Sequence, residues 1–139
     1  MKTHNVAVIG CGIWGKNVVR NFYNLNALHT VCDLDEENRK NLKIQYPDVN
    51  IIADSNEIFN NPEIDAVAVV TPSHTHYKIV KKAIESGKHV YVEKPISTVS
   101  AEAKALTDLA DANNMVLMVG HLLMYHPAVN RLKMLINEG

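Results

Sequence analysis

Val6-Ala7-Val8-Ile9 runs directly into Gly10-Cys11-Gly12-Ile13-Trp14-Gly15, and an acidic residue, Asp33, follows eighteen positions after Gly15. An apolar run, a G-x-G-x-x-G turn, a helical stretch, a second apolar run and an acid at its end make the fingerprint of a dinucleotide-binding βαβ unit. Each part has a physical task. Gly10 lets the chain turn sharply out of the strand. Gly12, with no Cβ, lets backbone approach a pyrophosphate, and Gly15 lets the helix pack close to the strand. Ile13 and Trp14 sit on the turn at the helix start, where free N–H groups and the positive end of the dipole face the phosphates. Glycines also collect in tight turns that bind nothing. Here Val18, Val19, Phe22 and Leu25 recur at helical spacing after Gly15, which gives the following helix one buried face and favours the binding reading.

The chain has 139 residues, the length of one domain, and buries roughly two-thirds of its unfolded surface without needing a disulfide or metal staple. Its 47% hydrophobic and 21% charged content is that of a globular protein. A formal charge of −1, from 14 basic and 15 acidic residues, leaves no electrostatic footprint for nucleic acid or an anionic membrane. No apolar run approaches the ~20 residues of a membrane span. Met1-Lys2-Thr3-His4 leads straight into the first strand, with no signal peptide expected. Cys11 and Cys32 are read as two reduced thiols at the ends of adjacent strands, which fits a cytoplasmic setting.

Strand and helix signals alternate along the whole chain, with no repeat, low-complexity segment or linker. Strands are expected at 5–9, 27–33, 49–52, 64–71, 88–92 and 116–120, and helices at 13–24, 35–45, 54–60, 75–86, 99–113 and 127–138. Runs such as Ala66-Val67-Ala68-Val69-Val70 and Val116-Leu117-Met118-Val119 do not alternate, which suits a parallel sheet covered on both faces. Ile79, Val80, Ala83 and Ile84 mark one helical stripe; Ala103, Leu106 and Ala110 mark another. Gly87 falls where a helix ends on a left-handed glycine. Right-handed crossovers then predict an α/β, doubly wound parallel sheet of about six strands ordered 3-2-1-4-5-6, with ligands beyond the carboxyl ends of the strands where strands 1 and 4 part.

The residues just after each strand therefore matter most. Asp33, after strand 2, can accept hydrogen bonds from both hydroxyls of an adenosine ribose and would repel a 2′-phosphate. Asp35, Glu36 and Glu37 follow it and no arginine or lysine sits beside them, so NAD is favoured over NADP. Asp33 also suits a helix N-cap, a role open equally to Asp35. Thr71-Pro72-Ser73-His74-Thr75-His76 follows strand 4; read alone, it is a turn whose proline stops the strand and whose hydroxyls cap the next helix. His74 and His76 have no third ligand at metal spacing, so no metal is expected. Glu93-Lys94-Pro95 follows strand 5, either as a solvated turn or as a lysine reaching a bound nicotinamide. Gly120-His121 follows strand 6; His121 either handles protons or packs as a polar loop residue. Pro127 begins the last helix.

Together these four motifs resemble the glucose–fructose oxidoreductase / inositol dehydrogenase (Gfo/Idh/MocA) family: Val8-Ile9-Gly10-Cys11-Gly12-Ile13-Trp14-Gly15, Thr71 through His76, Glu93-Lys94-Pro95, and Gly120-His121 through Tyr125-His126-Pro127. The resemblance covers essentially the whole chain and implies a Rossmann-type domain that binds NAD. It makes Thr71, Pro72 and His76 cofactor-side residues and places Glu93 and His121 at the same end. Lys94 becomes the catalytic residue, at the reacting hydroxyl. The Gly-His-Leu-Leu and Tyr-His-Pro pattern resembles members acting on nucleotide-linked amino sugars or their uronates, and Met124 stands where many relatives carry arginine. Family members continue into a second α+β domain that holds most of the substrate pocket, a histidine acid/base motif and usually the oligomer interface. Residues 1–139 are thus expected to be the dinucleotide-binding domain, with the substrate domain absent.

The reading that follows is the NAD-binding domain of an oxidoreductase that transfers hydride between a hydroxyl carbon of a sugar, possibly nucleotide-linked, and nicotinamide. The alternative is a non-catalytic NAD-binding or regulatory module. A methyltransferase using S-adenosylmethionine shares a glycine turn and an acid after strand 2. The six-strand pattern with Glu93-Lys94-Pro95 after strand 5 argues against it.

Overall fold

The computed structural model describes residues 4–139. Strands and helices alternate: β1 (Val6–Ile9), α1 (Gly15–Asn24), β2 (Leu28–Cys32), α2 (Glu36–Gln45), β3 (Asn50–Ile52), α3 (Asn56–Asn60), β4 (Ala66–Val69), α4 (Ser73–Glu85), β5 (His89–Val92), α5 (Ser100–Ala112) and β6 (Leu117–Val119). A 3-10 turn (Leu122–Tyr125) and α6 (Pro127–Glu138) close the chain. All pairings are parallel and the order is β3-β2-β1-β4-β5-β6, as the sequence predicts. Ile9 at the end of β1 is level with Cys32 of β2 and Val69 of β4. The loops after these three strands therefore open at one edge, around the point where the sheet order reverses.

Because side chains alternate along a strand, β1 feeds two cores. Ala7 and Ile9 pack with Val67, Val69, Val90 and Val92 against Ile58 and Phe59 of α3, Val80, Ala83 and Ile84 of α4, and Leu106 and Ala110 of α5. Val6 and Val8 pack on the other face with Val31, Ala68, Val19 of α1 and Leu42 of α2. Each such buried Val, Leu or Ile side chain contributes about 1.5–3 kcal/mol relative to exposure. Cys11 belongs to the second core and Cys32 to the first, so the two thiols sit at adjacent strand ends on opposite faces of the sheet, buried and free.

The expectation of a sheet covered on both faces holds for β1, β2 and β4 but not for β5 and β6. Tyr91 is only partly buried and Met118 is 42% exposed. The reason lies in the helices. The second core draws on α1 and α2, over the β1 and β2 side, and α6 keeps every residue exposed while lying beside the 3-10 turn. Among the described residues no helix is long and apolar enough to cross a membrane.

Five helix starts differ by one or two residues from the sequence reading, and two of them border the glycine turn and the loop after β4. The first helix begins at Gly15 rather than 13. The fourth begins at Ser73 rather than 75, and no hydroxyl caps it. Instead Thr75 Oγ1 bonds the Pro72 carbonyl at 2.7 Å and pairs with Thr71 Oγ1 at 2.6 Å. Gly87 ends α4 at φ +72, as expected. Asn26 and Asn114, at φ 53 and 54, do the same after α1 and α5, because a short amide side chain tolerates the left-handed region.

Candidate functional site

The three glycines of the first turn stand in different surroundings. Gly10 has φ +91, and a Cβ there would lie 2.7 Å from the Val70 carbonyl oxygen. A Cβ on Gly15 would lie 2.4 Å from the Gly10 carbonyl oxygen, so the helix approaches the strand only through glycine. Gly12 is unlike both. A Cβ there meets nothing within 4 Å, so the protein's own packing does not demand glycine. Just beyond, α1 begins with no side-chain cap and no acid in its first turn. By contrast, α2 is capped by Asp35, whose Oδ1 accepts from Asn38 N at 2.7 Å, and carries Glu36 and Glu37 in its first turn. An uncapped helix start beside a small residue is a cradle for an anion.

A hollow of about 690 Å³ opens over this cradle, between the ends of β1, β2 and β4. Gly10, Gly12, Ile13, Trp14, Gly15, Asp33, Thr71 and Pro72 line it, together with Leu34 and His74. Asp33 Oδ2 accepts from Cys11 N at 2.7 Å and Oδ1 from Asp35 N at 2.8 Å. The carboxylate thus braces the glycine turn, and each oxygen keeps acceptor capacity toward the hollow. Asp35, not Asp33, is the helix cap. Sequence adjacency missed one cation: Arg39, about one turn into α2, bends back so that Nη1 donates to the carbonyls of Asp33 and Leu34 at 2.9 and 2.8 Å. The expectation of no basic residue beside this strand end is corrected accordingly, because helix geometry returns a residue six positions away. Burial, and then the Asp33 charge, raise the Cys11 thiol from 9.0 to about 11; Cys32 rises to about 11 for the same two leading reasons.

A second hollow, of about 1020 Å³, lies beyond the ends of β4, β5 and β6. Glu93, Lys94, Pro95, Gly120, His121 and Leu122 to Met124 line it. Trp14, Val70 and Thr71 line both hollows, which makes one continuous cleft across the switch point. Lys94 is exposed there, and among the described residues nothing bonds or pairs with its Nζ. The Lys94–Pro95 peptide is cis. Glu93 is buried; its Oε1 accepts from Trp14 Nε1 at 2.8 Å and from the Tyr91 hydroxyl at 2.7 Å. Burial and the Glu93 carboxylate hold the Tyr91 phenol far above its ordinary range, so it remains a donor.

His76 alone among the expected residues faces neither hollow. It is 1% exposed, with Nδ1 2.7 Å from the Pro95 carbonyl oxygen and Nε2 2.8 Å from that of Thr71. It is a strut tying the loop after β4 to the loop after β5. Tyr91 escaped the sequence reading as part of the site, and Gly120, read there within the motif after strand 6, lines the second hollow. The signal for Tyr91 was its place two residues before Glu93, on the same face of β5.

Residues 4–121 match the oxidoreductase family with an NAD-binding Rossmann fold. A UDP-N-acetylglucosamine 3-dehydrogenase of Acidithiobacillus ferrooxidans is 30% identical over 131 residues, which cover 91% of this chain and 39% of that protein. A scyllo-inositol 2-dehydrogenase (NADP(+)) of Bacillus subtilis is 29% identical over 137 residues, covering 99% of this chain and 38% of that protein. The chain therefore spans less than two-fifths of these relatives' length. The structure of a scyllo-inositol dehydrogenase from Lactobacillus casei, solved with NAD(H) and scyllo-inositol, superposes with a TM-score of 0.88 at 22% identity, covering 99% of this chain and 42% of that one; this likeness is one of fold. With the glycine cradle, the acid after β2 and the lysine after β5 in one cleft, the chain belongs to the Gfo/Idh/MocA oxidoreductase family, as its NAD-binding Rossmann domain.

Proposed function

We propose that this domain presents NAD to a sugar, possibly nucleotide-linked, for hydride transfer at a hydroxyl-bearing carbon, in the cytoplasm. The observation that carries the reading is the unpaired Lys94 ammonium on the wall of the second hollow, in one cleft with the Gly12 cradle. The cradle fits the cofactor: a residue free of steric demand from the protein is glycine, beside an uncapped helix start. Gly12 and the start of α1 would hold the pyrophosphate, Asp33 the adenosine ribose, and Thr71 and Pro72 the wall between the two halves. Bound nicotinamide supplies the hydride acceptor or donor. Lys94 donates a hydrogen bond to the reacting oxygen and favours the negative charge that develops on it. His121 is exposed on the same wall. The remaining length found in the relatives would hold the sugar and complete the acid/base set.

The test pairs binding with turnover. Calorimetry on this chain is expected to show NADH binding more tightly than NADPH, since Asp33 opposes a 2′-phosphate. NADPH binding as tightly as NADH would overturn that choice and give Arg39 the deciding role. Incubation with NAD and a panel of sugars and UDP-sugars, followed by NADH absorbance, is expected to show negligible turnover. Lost positioning alone forfeits ~7–11 kcal/mol of barrier reduction. Ordinary enzymatic rates would refute the division of labour between this domain and the rest.

A further inference from the structure

Glu93 is 7% exposed, yet among the described residues no cationic side chain pairs with it. A carboxylate so far from water must be held by hydrogen bonds. Oε1 takes two side-chain donors, Trp14 Nε1 and the Tyr91 hydroxyl, and Oε2 faces the Lys94 backbone N–H at 3.3 Å. The end of β6 leaves room for this arrangement. A Cβ on Gly120 would lie 2.4 Å from the Tyr91 hydroxyl oxygen and 3.0 Å from Glu93 Oε1. Three separate stretches of chain, the start of α1, the end of β5 and the end of β6, thus meet at one carboxylate. The residue they hold is unusual in its exposure: Trp14 is 46% exposed and lines both hollows, and its neighbour Ile13 is 96% exposed. Among the described residues, the Glu93 bond is the polar contact of the indole N–H.

We infer that Glu93, with Tyr91, is a positioning residue that holds Trp14 at the passage between the two hollows, and that this clamp governs binding of the nicotinamide half of the dinucleotide. The inference rests on the proposed dinucleotide site. In that site the adenosine ribose and the pyrophosphate would lie against Asp33 and Gly12, and the bonds of Asp33 go to Cys11 and Asp35 rather than to the clamp. The other half must pass Trp14 to reach Lys94. An indole free to rotate would fall across that passage or leave its wall open.

Trp14 is the chain's one tryptophan, so acrylamide quenching of its fluorescence reports the clamp with no ligand present. Glu93→Ala is expected to raise the quenching constant about twofold. Glu93→Gln, whose amide oxygen still accepts from both donors, should stay near the wild type. Titrations with NADH and with ADP then separate the two halves. Trp14→Phe, which removes the N–H that Glu93 accepts and whose folding is checked by a urea melt, should weaken NADH about tenfold and leave ADP within twofold. Glu93→Ala should follow it and Glu93→Gln should restore NADH binding. Unchanged NADH affinity in Trp14→Phe, or equal weakening of NADH and ADP, would overturn the clamp. A wild-type chain that binds neither ligand would instead sink the dinucleotide reading and the inference with it.

Discussion

The sharpest separation of structural from functional glycine comes from substituting Gly12 and Gly15 in parallel. A Cβ at Gly12 meets no protein atom within 4 Å, so Gly12→Val adds side-chain bulk only to the cleft. Its effect on stability should be that of an ordinary surface substitution, within about 0.5 kcal/mol. The cradle is a different matter. Three carbons beside the α1 start displace a pyrophosphate from backbone donors, and losing one hydrogen bond to a charged group costs about 1.5–3 kcal/mol. At 1.4 kcal/mol per tenfold, Kd for NADH should rise roughly tenfold to a hundredfold or more. Gly15→Ala should behave in the opposite manner. Its Cβ would lie 2.4 Å from the Gly10 carbonyl oxygen, and backbone cannot yield as a side chain tip can. Overpacking of this kind costs about 1–3 kcal/mol of stability. Urea melts give the first quantity and calorimetric titration with NADH the second. If Gly12→Val melts well below the wild type yet binds NADH normally, Gly12 is a turn residue and the cradle argument fails.

Two further outcomes test the rest of the cleft. Asp33→Ala removes the proposed ribose acceptor and also orphans the N–H groups of Cys11 and Asp35, so urea melts should show about 1–3 kcal/mol of lost stability alongside weaker NADH binding; weaker binding with no stability change would mean that the bracing bonds contribute nothing. Cys11 and Cys32 stay protonated in the fold up to about 11 against 9.0 when unfolded, so stability is fully present below pH 9 and should fall between pH 9 and 11 as the unfolded thiols ionise. Melts of wild type and a Cys11→Ser, Cys32→Ser double variant across that window check it, and identical slopes would refute the thiol contribution.

Local signals carried most of the fold. Short apolar runs, helical stripes and glycine punctuation are properties of neighbouring residues, and they predicted six parallel strands in the order observed. The resemblance to a family came from short contiguous motifs, each of which sits in one loop at one strand end. The glycine turn, Asp33, Thr71, Pro72, Glu93, Lys94 and His121 were therefore legible as cleft residues, because parallel strands place their carboxyl ends at one edge. What depended on three-dimensional packing was not legible. His76 left the wall because its ring finds two carbonyl oxygens, from Thr71 and Pro95, on loops that meet only across the sheet. Arg39 returned to the end of β2 because a helix brings its side chain back along the turn. The uncovered face of β5 and β6 followed from where α6 lies, which periodicity does not specify. The Glu93 clamp gathers Trp14, Tyr91 and Gly120 from positions up to about a hundred residues apart. A linear pattern records which side chains share a face, but long-range contacts, and the demand that a buried carboxylate find donors, are settled only when the strands are side by side.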